Sequence, residues 1–253
     1  MKAQHKHGLS SLAKKYLMAL TGVIMVGFVF IHMVGNLQMF QSPAAINHYA
    51  HLLQTLPKGV LWGFRAVLLL SVVIHVWMAI LLVRENRRAR PEDYCAKDSI
   101  QATLASRTMG LSGSFLLFFI VFHVFHFTVR SIFPEFQSDA FYTMLDGEQV
   151  YNVYKMVVVG FSMVWVSVLY VVCMAFLCFH LSHATSSMFQ SLGLRNRKWK
   201  LCLDRFAILY GWVVFLGFVS IPVGVLTHVI KPEAVIDQPQ AIVQFETLNT
   251  KDV

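Results

Sequence analysis

The residues in this chain best suited to chemistry are histidines set inside long apolar runs. The stretch from Gly110 to Ile132, GLSGSFLLFFIVFHVFHFTVRSI, carries His123 and His126 deep within it, and His32, His75 and His180 hold comparable places in three other runs. An ionisable side chain at membrane depth is costly unless it is paired or ligating, so each of these imidazoles needs a partner. Depth sorts them, at about 1.5 Å of rise per helical residue. His32 is sixteen residues from Tyr16 and His123 fourteen from Met109, roughly 24 and 21 Å from the starts of their spans. His75 is eight residues before Val83 and His180 ten before Gln190, roughly 12 and 15 Å from the ends of theirs. Two pairs, each drawn from two helices at matched depth, are what bis-histidine ligation of two b haems requires, with one imidazole on each axial face. Axial positions filled by protein favour electron transfer over oxygen or substrate chemistry.

A repeated spacing accompanies the histidines. Thr21-Gly22 precedes His32, and Ser112-Gly113 precedes His123, with ten residues from glycine to histidine in both cases. Eleven residues are close to three helical turns, so Thr21 shares the stripe of His32 and Ser112 that of His123. Each glycine then lies roughly 15 Å along from its histidine, near the depth of the inner pair, where a flat ring could approach the backbone. Glycines also pack helices together in lipid, and the pairing with histidine is the more specific signal. His126, one turn outward, is the alternative to His123 and lacks the shared glycine spacing. His183, one turn beyond His180, caps the site or meets a haem propionate. His228 has no partner at its depth. His48 and His51, in an outer loop, and His5 and His7, in the N-terminal tail, read as solvated or interfacial. Cys95, Cys173, Cys178 and Cys202 form neither CxxC nor CxxCH, so neither a zinc ribbon, an iron–sulfur cluster nor covalent haem attachment is indicated.

The elements that must position these residues are membrane spans. The chain has 253 residues, 57% hydrophobic and only 13% charged, about half the charged share of a soluble domain. Five spans are predicted: Tyr16 to Phe40, Val60 to Val83, Met109 to Ile132, Val153 to His183 or beyond, and Phe206 to Ile230. The fourth is expected to continue as a helix to Gly193, a left-handed stop. The resulting fold class is all-α, an integral membrane bundle of five transmembrane helices over 16–230, between tails at 1–15 and 231–253. The first apolar run is too long for a signal-peptide core. Fifteen of the twenty-one Lys and Arg fall in the N-terminal tail and the loops after the second and fourth spans. The positive-inside rule puts that side, with the N-terminus, in the cytoplasm and the C-terminus outside. The net charge of +8 is thereby explained by topology, and nucleic-acid binding is not indicated. No Asp or Glu lies within a predicted span, which counts against a proton pump or cation transporter.

FIHMVGN around His32, NHYAHLLQTLP, VIHVWMAILL around His75, SRTMGLSG leading to FHVFHF, and FHLSHATSSMFQSLG around His180 stand in a specific order across nearly the whole chain. Together they resemble the di-haem cytochrome b membrane-anchor subunit of succinate dehydrogenase and fumarate reductase, of the single-chain, five-span type. The resemblance implies two non-covalent b haems, His75 with His180 holding the one nearer the cytoplasm and His32 with His123 the other. It implies a flavoprotein subunit that interconverts succinate and fumarate, an iron–sulfur subunit, both on the basic cytoplasmic face of the inner membrane, and a membrane quinone, menaquinone or ubiquinone. The dicarboxylate chemistry would belong to the partner. Arg107, Ser106 and His183 are the implied propionate contacts, and Asn36, Gln38 and His51 the polar residues nearest the quinone. Some members carry a glutamate two residues before the fourth ligand; here Cys178 stands there, so that proton route is not carried over. Two other readings remain: the haem b subunit of a membrane hydrogenase or formate dehydrogenase, whose spans and motif order differ, and a haem-free membrane scaffold or transporter.

Overall fold

A computed structural model of the protein describes residues 9–88 and 109–232. Ser106, Arg107, the residues through Gly8 and the tail beyond Pro232 lie outside the described residues. Among the described residues the main elements are seven α-helices and one hairpin: α1 Ser11–Asn36, α2 Pro43–Gln54, α3 Lys58–Arg88, α4 Met109–His123, β1 Tyr142–Leu145, β2 Glu148–Tyr151, α5 Val153–Ser162, α6 Val164–Ser191 and α7 Lys200–Leu226. Five of the helices are long and apolar enough to cross a membrane: α1 with the turn that follows it, α3, α4 with its terminal turn, α6 and α7. Large apolar side chains project outward from them, with Leu69 66%, Phe118 65% and Leu209 63% exposed. Helices satisfy their own backbone groups and so suit a lipid surround, where such outward side chains cost nothing. The chain is an all-α, multi-pass membrane protein.

Contacts divide it into two compact units, formed by the described parts of Met1–His32, Leu56–Phe115 and Ala175–Phe215 in one, and of Met33–Thr55, Leu116–Met174 and Leu216–Val253 in the other. In the first, side chains link neighbouring helices in the order α3, α1, α7, α6, α4. Lys14 of α1 pairs with Glu85 of α3, which also accepts from the Ser11 hydroxyl at 2.9 Å. The Tyr210 hydroxyl of α7 donates to the Val26 carbonyl of α1 at 2.6 Å. Arg195 grips Asp204 through Nε and Nη2, both at 2.8 Å, and the Ser186 hydroxyl donates to the same carboxylate. Phe115 of α4 stacks on Phe176 of α6 at 4.6 Å between centroids. The helix α6 stops where expected, with Gly193 at φ +75° and the Leu194 N–H donating to the Phe189 carbonyl at 2.9 Å.

The second unit holds the main buried cluster, with Phe136, Val166, Met39, Ile46, Phe161 and Tyr170 among its members. The loop between the first two spans folds as α2, capped by the Ser42 hydroxyl accepting from the Ala45 N–H at 3.0 Å, with Pro43 opening the helix. Asn47 on its inner face is 2% exposed; its Nδ2 donates to Asn152 and its Oδ1 accepts from the Tyr154 N–H. The strands β1 and β2 pair antiparallel through Asp146-Gly147, both at positive φ. Burial pushes the Tyr151 phenol up against the pull of Arg130, and its hydroxyl donates to the Phe136 carbonyl at 2.8 Å.

Two spans differ from expectation here. The third does not run as regular helix to Ile132: a π turn spans Val124–Thr128, and Arg130 at φ +61° halts it, its guanidinium 4.2 Å from the centroid of Tyr151. The fourth is broken, with Met163 extended between α5 and α6. The Phe161 carbonyl freed by the break is recovered by the Ser167 hydroxyl at 2.6 Å. Gly160 explains why α5 lies where it does. A methyl on it would come within 3.1 Å of Phe127 and 3.2 Å of the His126 Nε2, so glycine permits the approach to the π turn.

Candidate functional site

The stripe Lys14, Met18, Thr21 of α1 faces α3, spaced so that one face meets the neighbour at each turn. The His75 Nδ1 lies 3.2 Å from the Met18 carbonyl and 3.3 Å from the Thr21 hydroxyl. A carbonyl only accepts, so Nδ1 carries the ring proton. Thr21 is no rival donor, because its own proton points to the Leu17 carbonyl at 2.8 Å. The Nε2 of a neutral His75 is therefore left with a free lone pair, the form that ligates a metal.

His180 of α6 repeats the arrangement against α4. Its Nδ1 lies 3.2 Å from the Ser112 hydroxyl, whose proton is directed to the Met109 carbonyl at 3.2 Å. The hydroxyl thus accepts from Nδ1–H, and Nε2 again keeps its lone pair. Thr21 and Ser112 are both buried, so neither hydrogen bond competes with bulk water. A methyl on Gly22 would touch the His75 Cε1 at 3.9 Å, and one on Gly113 the His180 Cε1 at 3.6 Å. Both rings are only partly covered by protein. Each ring is a neutral imidazole with its tautomer fixed and a glycine beside it, the form in which histidine ligates a metal.

In the second unit His123 and His126 share one hydroxyl. The Tyr170 Oη lies 3.1 Å from the His123 Nδ1 and 3.0 Å from the His126 Nδ1. The His123 ring is half-buried against Phe119, whereas His126 is fully enclosed, stacked on Phe127 at 3.8 Å and flanked by Phe133 and Phe136. The His126 Nε2 is one of two buried side-chain polar atoms without a hydrogen-bond partner among the described residues; the other is the Thr185 hydroxyl.

The remaining predicted residues fall as follows. His32, half-buried, stacks on Phe28 at 5.3 Å; it belongs to the first unit and His123 to the second, so their pairing rests on the depth count of the sequence. His183 places Nε2 3.1 Å from the Ser187 hydroxyl. Asn36 ends α1 and Gln38 lies in the following turn, both half-buried. The His51 Nε2 is 3.4 Å from Glu148, and that of His48 3.5 Å from Asp146, which ties α2 to the hairpin. Cys173 and Cys178 are buried free thiols. Tyr170 is the participant that sequence reasoning missed; its signal was a lone phenol in the run VSVLYVVCM, ten residues before His180.

Among the described residues no three His, Cys, Asp or Glu side chains converge as a metal site. Haem asks less of the protein, because the macrocycle supplies the equatorial ligands. Comparisons of the chain with protein-family models, with curated proteins and with solved structures find no match. The functional assignment consequently rests on the residues themselves, within a multi-pass helical membrane protein.

Proposed function

We propose that this chain is the di-haem cytochrome b membrane anchor of a succinate:quinone oxidoreductase, a succinate dehydrogenase or fumarate reductase. The observation that carries the reading is the twofold bracket in the first unit, where Thr21-Gly22 and Ser112-Gly113 meet His75 and His180 with both Nδ1 atoms engaged. Haem b, when bound, supplies one-electron redox chemistry and, with two imidazole ligands, leaves no place for oxygen or substrate on the iron. His75 and His180 hold the haem nearer the cytoplasm; His32 and His123 hold the outer one. The Met18 carbonyl and the Thr21 and Ser112 hydroxyls orient the rings and raise their basicity, while Gly22 and Gly113 admit a flat surface beside them. Arg107, Ser106 and His183 neutralise or bond the propionates. Asn36, Gln38 and His51 provide polar contacts for membrane quinone, menaquinone or ubiquinone. The flavoprotein and iron–sulfur subunits sit on the basic cytoplasmic face of the inner membrane and perform the dicarboxylate chemistry. The chain's own part is electron transfer.

The test is a reduced-minus-oxidised spectrum of the purified protein. About two b haems per chain are expected. Replacing His75 or His180 by Ala is expected to remove mainly one haem, and replacing His32 or His123 the other. A colourless preparation with intact helical content would overturn the reading. Co-purification of a flavoprotein that reduces quinone with succinate separates it from a hydrogenase or formate dehydrogenase subunit.

A further inference from the structure

The outer ligand on α4 has a feature that the inner pair lacks: its Nδ1 is bonded to a hydroxyl that a second imidazole also uses. From this we infer that Tyr170 and His126 are positioning residues which fix the tautomer of His123, an inference that rests on the reading of His123 as an axial ligand. Tyr170 has one proton, and its oxygen lies 3.1 Å from one Nδ1 and 3.0 Å from the other. It can donate to only one of them and must accept from the other. Two directions are possible. If His126 is the donor, Tyr170 donates to the His123 Nδ1, and the proton of neutral His123 moves to Nε2, where it blocks ligation. If His123 is the donor, its Nε2 carries the lone pair that ligates a metal, Tyr170 donates to the His126 Nδ1, and the His126 proton sits on Nε2.

The surroundings keep the second imidazole out of the first one's role. His126 is 0% exposed, and its Nε2 lies so close to Gly160 that a methyl there would come within 3.2 Å. A macrocycle cannot reach that nitrogen without moving the α5 backbone. The His126 Nε2 has no hydrogen-bond partner among the described residues, so its tautomer is decided at Nδ1, by Tyr170. Tyr170, 7% exposed, is held edge-on between Phe119 and Phe161, at 5.0 and 4.9 Å, so its oxygen is not free to turn away from the two rings. With His123 as axial ligand, His126 serves as acceptor for the Tyr170 proton, and the phenol oxygen accepts from His123.

The experiment compares His126→Leu, His126→Gln, Tyr170→Phe and the double variant His126→Leu/Tyr170→Phe in the complete chain, reading haem stoichiometry and the potential of each haem. Retention of the inner haem, held by other residues, reports a folded chain. His126→Leu leaves the Tyr170 proton only the His123 Nδ1 to go to, so outer haem is expected to fall severalfold. His126→Gln keeps an acceptor oxygen and should retain it. Tyr170→Phe should retain the haem but raise its potential, by up to about tenfold in the reduction equilibrium, or 59 mV for one electron. The double variant should recover the haem that His126→Leu loses, an outcome opposite to that of two additive packing defects. Full outer haem at unchanged potential in both single variants, His126→Leu and Tyr170→Phe, would overturn the inference, as would a double variant with less outer haem than His126→Leu. His123→Ala serves as the control for the underlying reading: if it keeps both haems, the ligand assignment itself has failed.

Discussion

At the scale of single residues, the proposed inner site depends on where two hydroxyl protons go. Thr21 and Ser112 each direct theirs to a carbonyl of their own helix, and so become acceptors for the ring N–H of an imidazole on another helix. Their roles are not equivalent. His75 has the Met18 carbonyl as well as Thr21, whereas His180 is given the Ser112 hydroxyl. Ser112→Ala should therefore cost about 1–3 kcal/mol in stability, as expected for a buried donor left unsatisfied, and Thr21→Val clearly less. Thermal unfolding of the two variants in detergent checks the order. In haem-loaded protein the same loss of an acceptor lowers ligand basicity, so the inner-haem potential should rise more in Ser112→Ala than in Thr21→Val. An equal response in both would mean that the Met18 carbonyl contributes nothing.

At the scale of elements, glycines decide how closely the helices approach, and bare distance is a poor guide to which of them matters. A methyl on Gly217 would fall within 2.3 Å of the Met33 Sδ, but that atom ends a flexible side chain and can swing aside. A methyl on Gly211 would meet the Ser182 Oγ at 2.6 Å and the Cys178 backbone carbonyl at 2.9 Å, and the carbonyl cannot move without shifting α6. Gly211→Ala should cost about 1–3 kcal/mol and Gly217→Ala less than half of that, measured as loss of thermal stability. The five spans were legible because apolar runs of 20 or so residues have few other uses. The break at Met163 was not, because the run from Val153 through Ser162 and beyond is apolar on both sides of it, and the side chains that Gly160 meets, His126 and Phe127, belong to the π turn far back in the chain. The hairpin was legible in principle from Asp146-Gly147, a pair suited to two successive positive φ values. The glycine spacing singles out Thr21-Gly22 and Ser112-Gly113, but their partners come from helices more than fifty residues away. No local pattern encodes such a meeting. Tyr170 was missed for the same reason, since its importance lies in joining His123 of α4 to His126 of the π turn.

At the scale of the whole molecule, the distribution of Lys and Arg is the argument for orientation. The helix ends and loop holding Lys14, Arg84, Arg87, Arg88, Arg195, Lys198 and Lys200 are assigned to the cytoplasm by the positive-inside rule, and the connection between α4 and α5, with Glu135, Asp139, Asp146 and Glu148, to the opposite side. Cys202 provides a native reporter, being an exposed free thiol near the start of α7. Cys173 and Cys178 are buried and should react slowly. After Cys95 is replaced by Ser, a membrane-impermeant maleimide should label Cys202 only in membranes whose cytoplasmic face is exposed. A cysteine introduced at Ser138 should be labelled only from the other face. One span, α6, separates the two positions, so labelling of both from one side would mean that α6 does not cross. Labelling from opposite sides with the faces exchanged would keep five spans but reverse the orientation. That result would move His75 and His180 to the outer half and detach the basic loops from any cytoplasmic partner, removing the physical ground for docking an iron–sulfur subunit there.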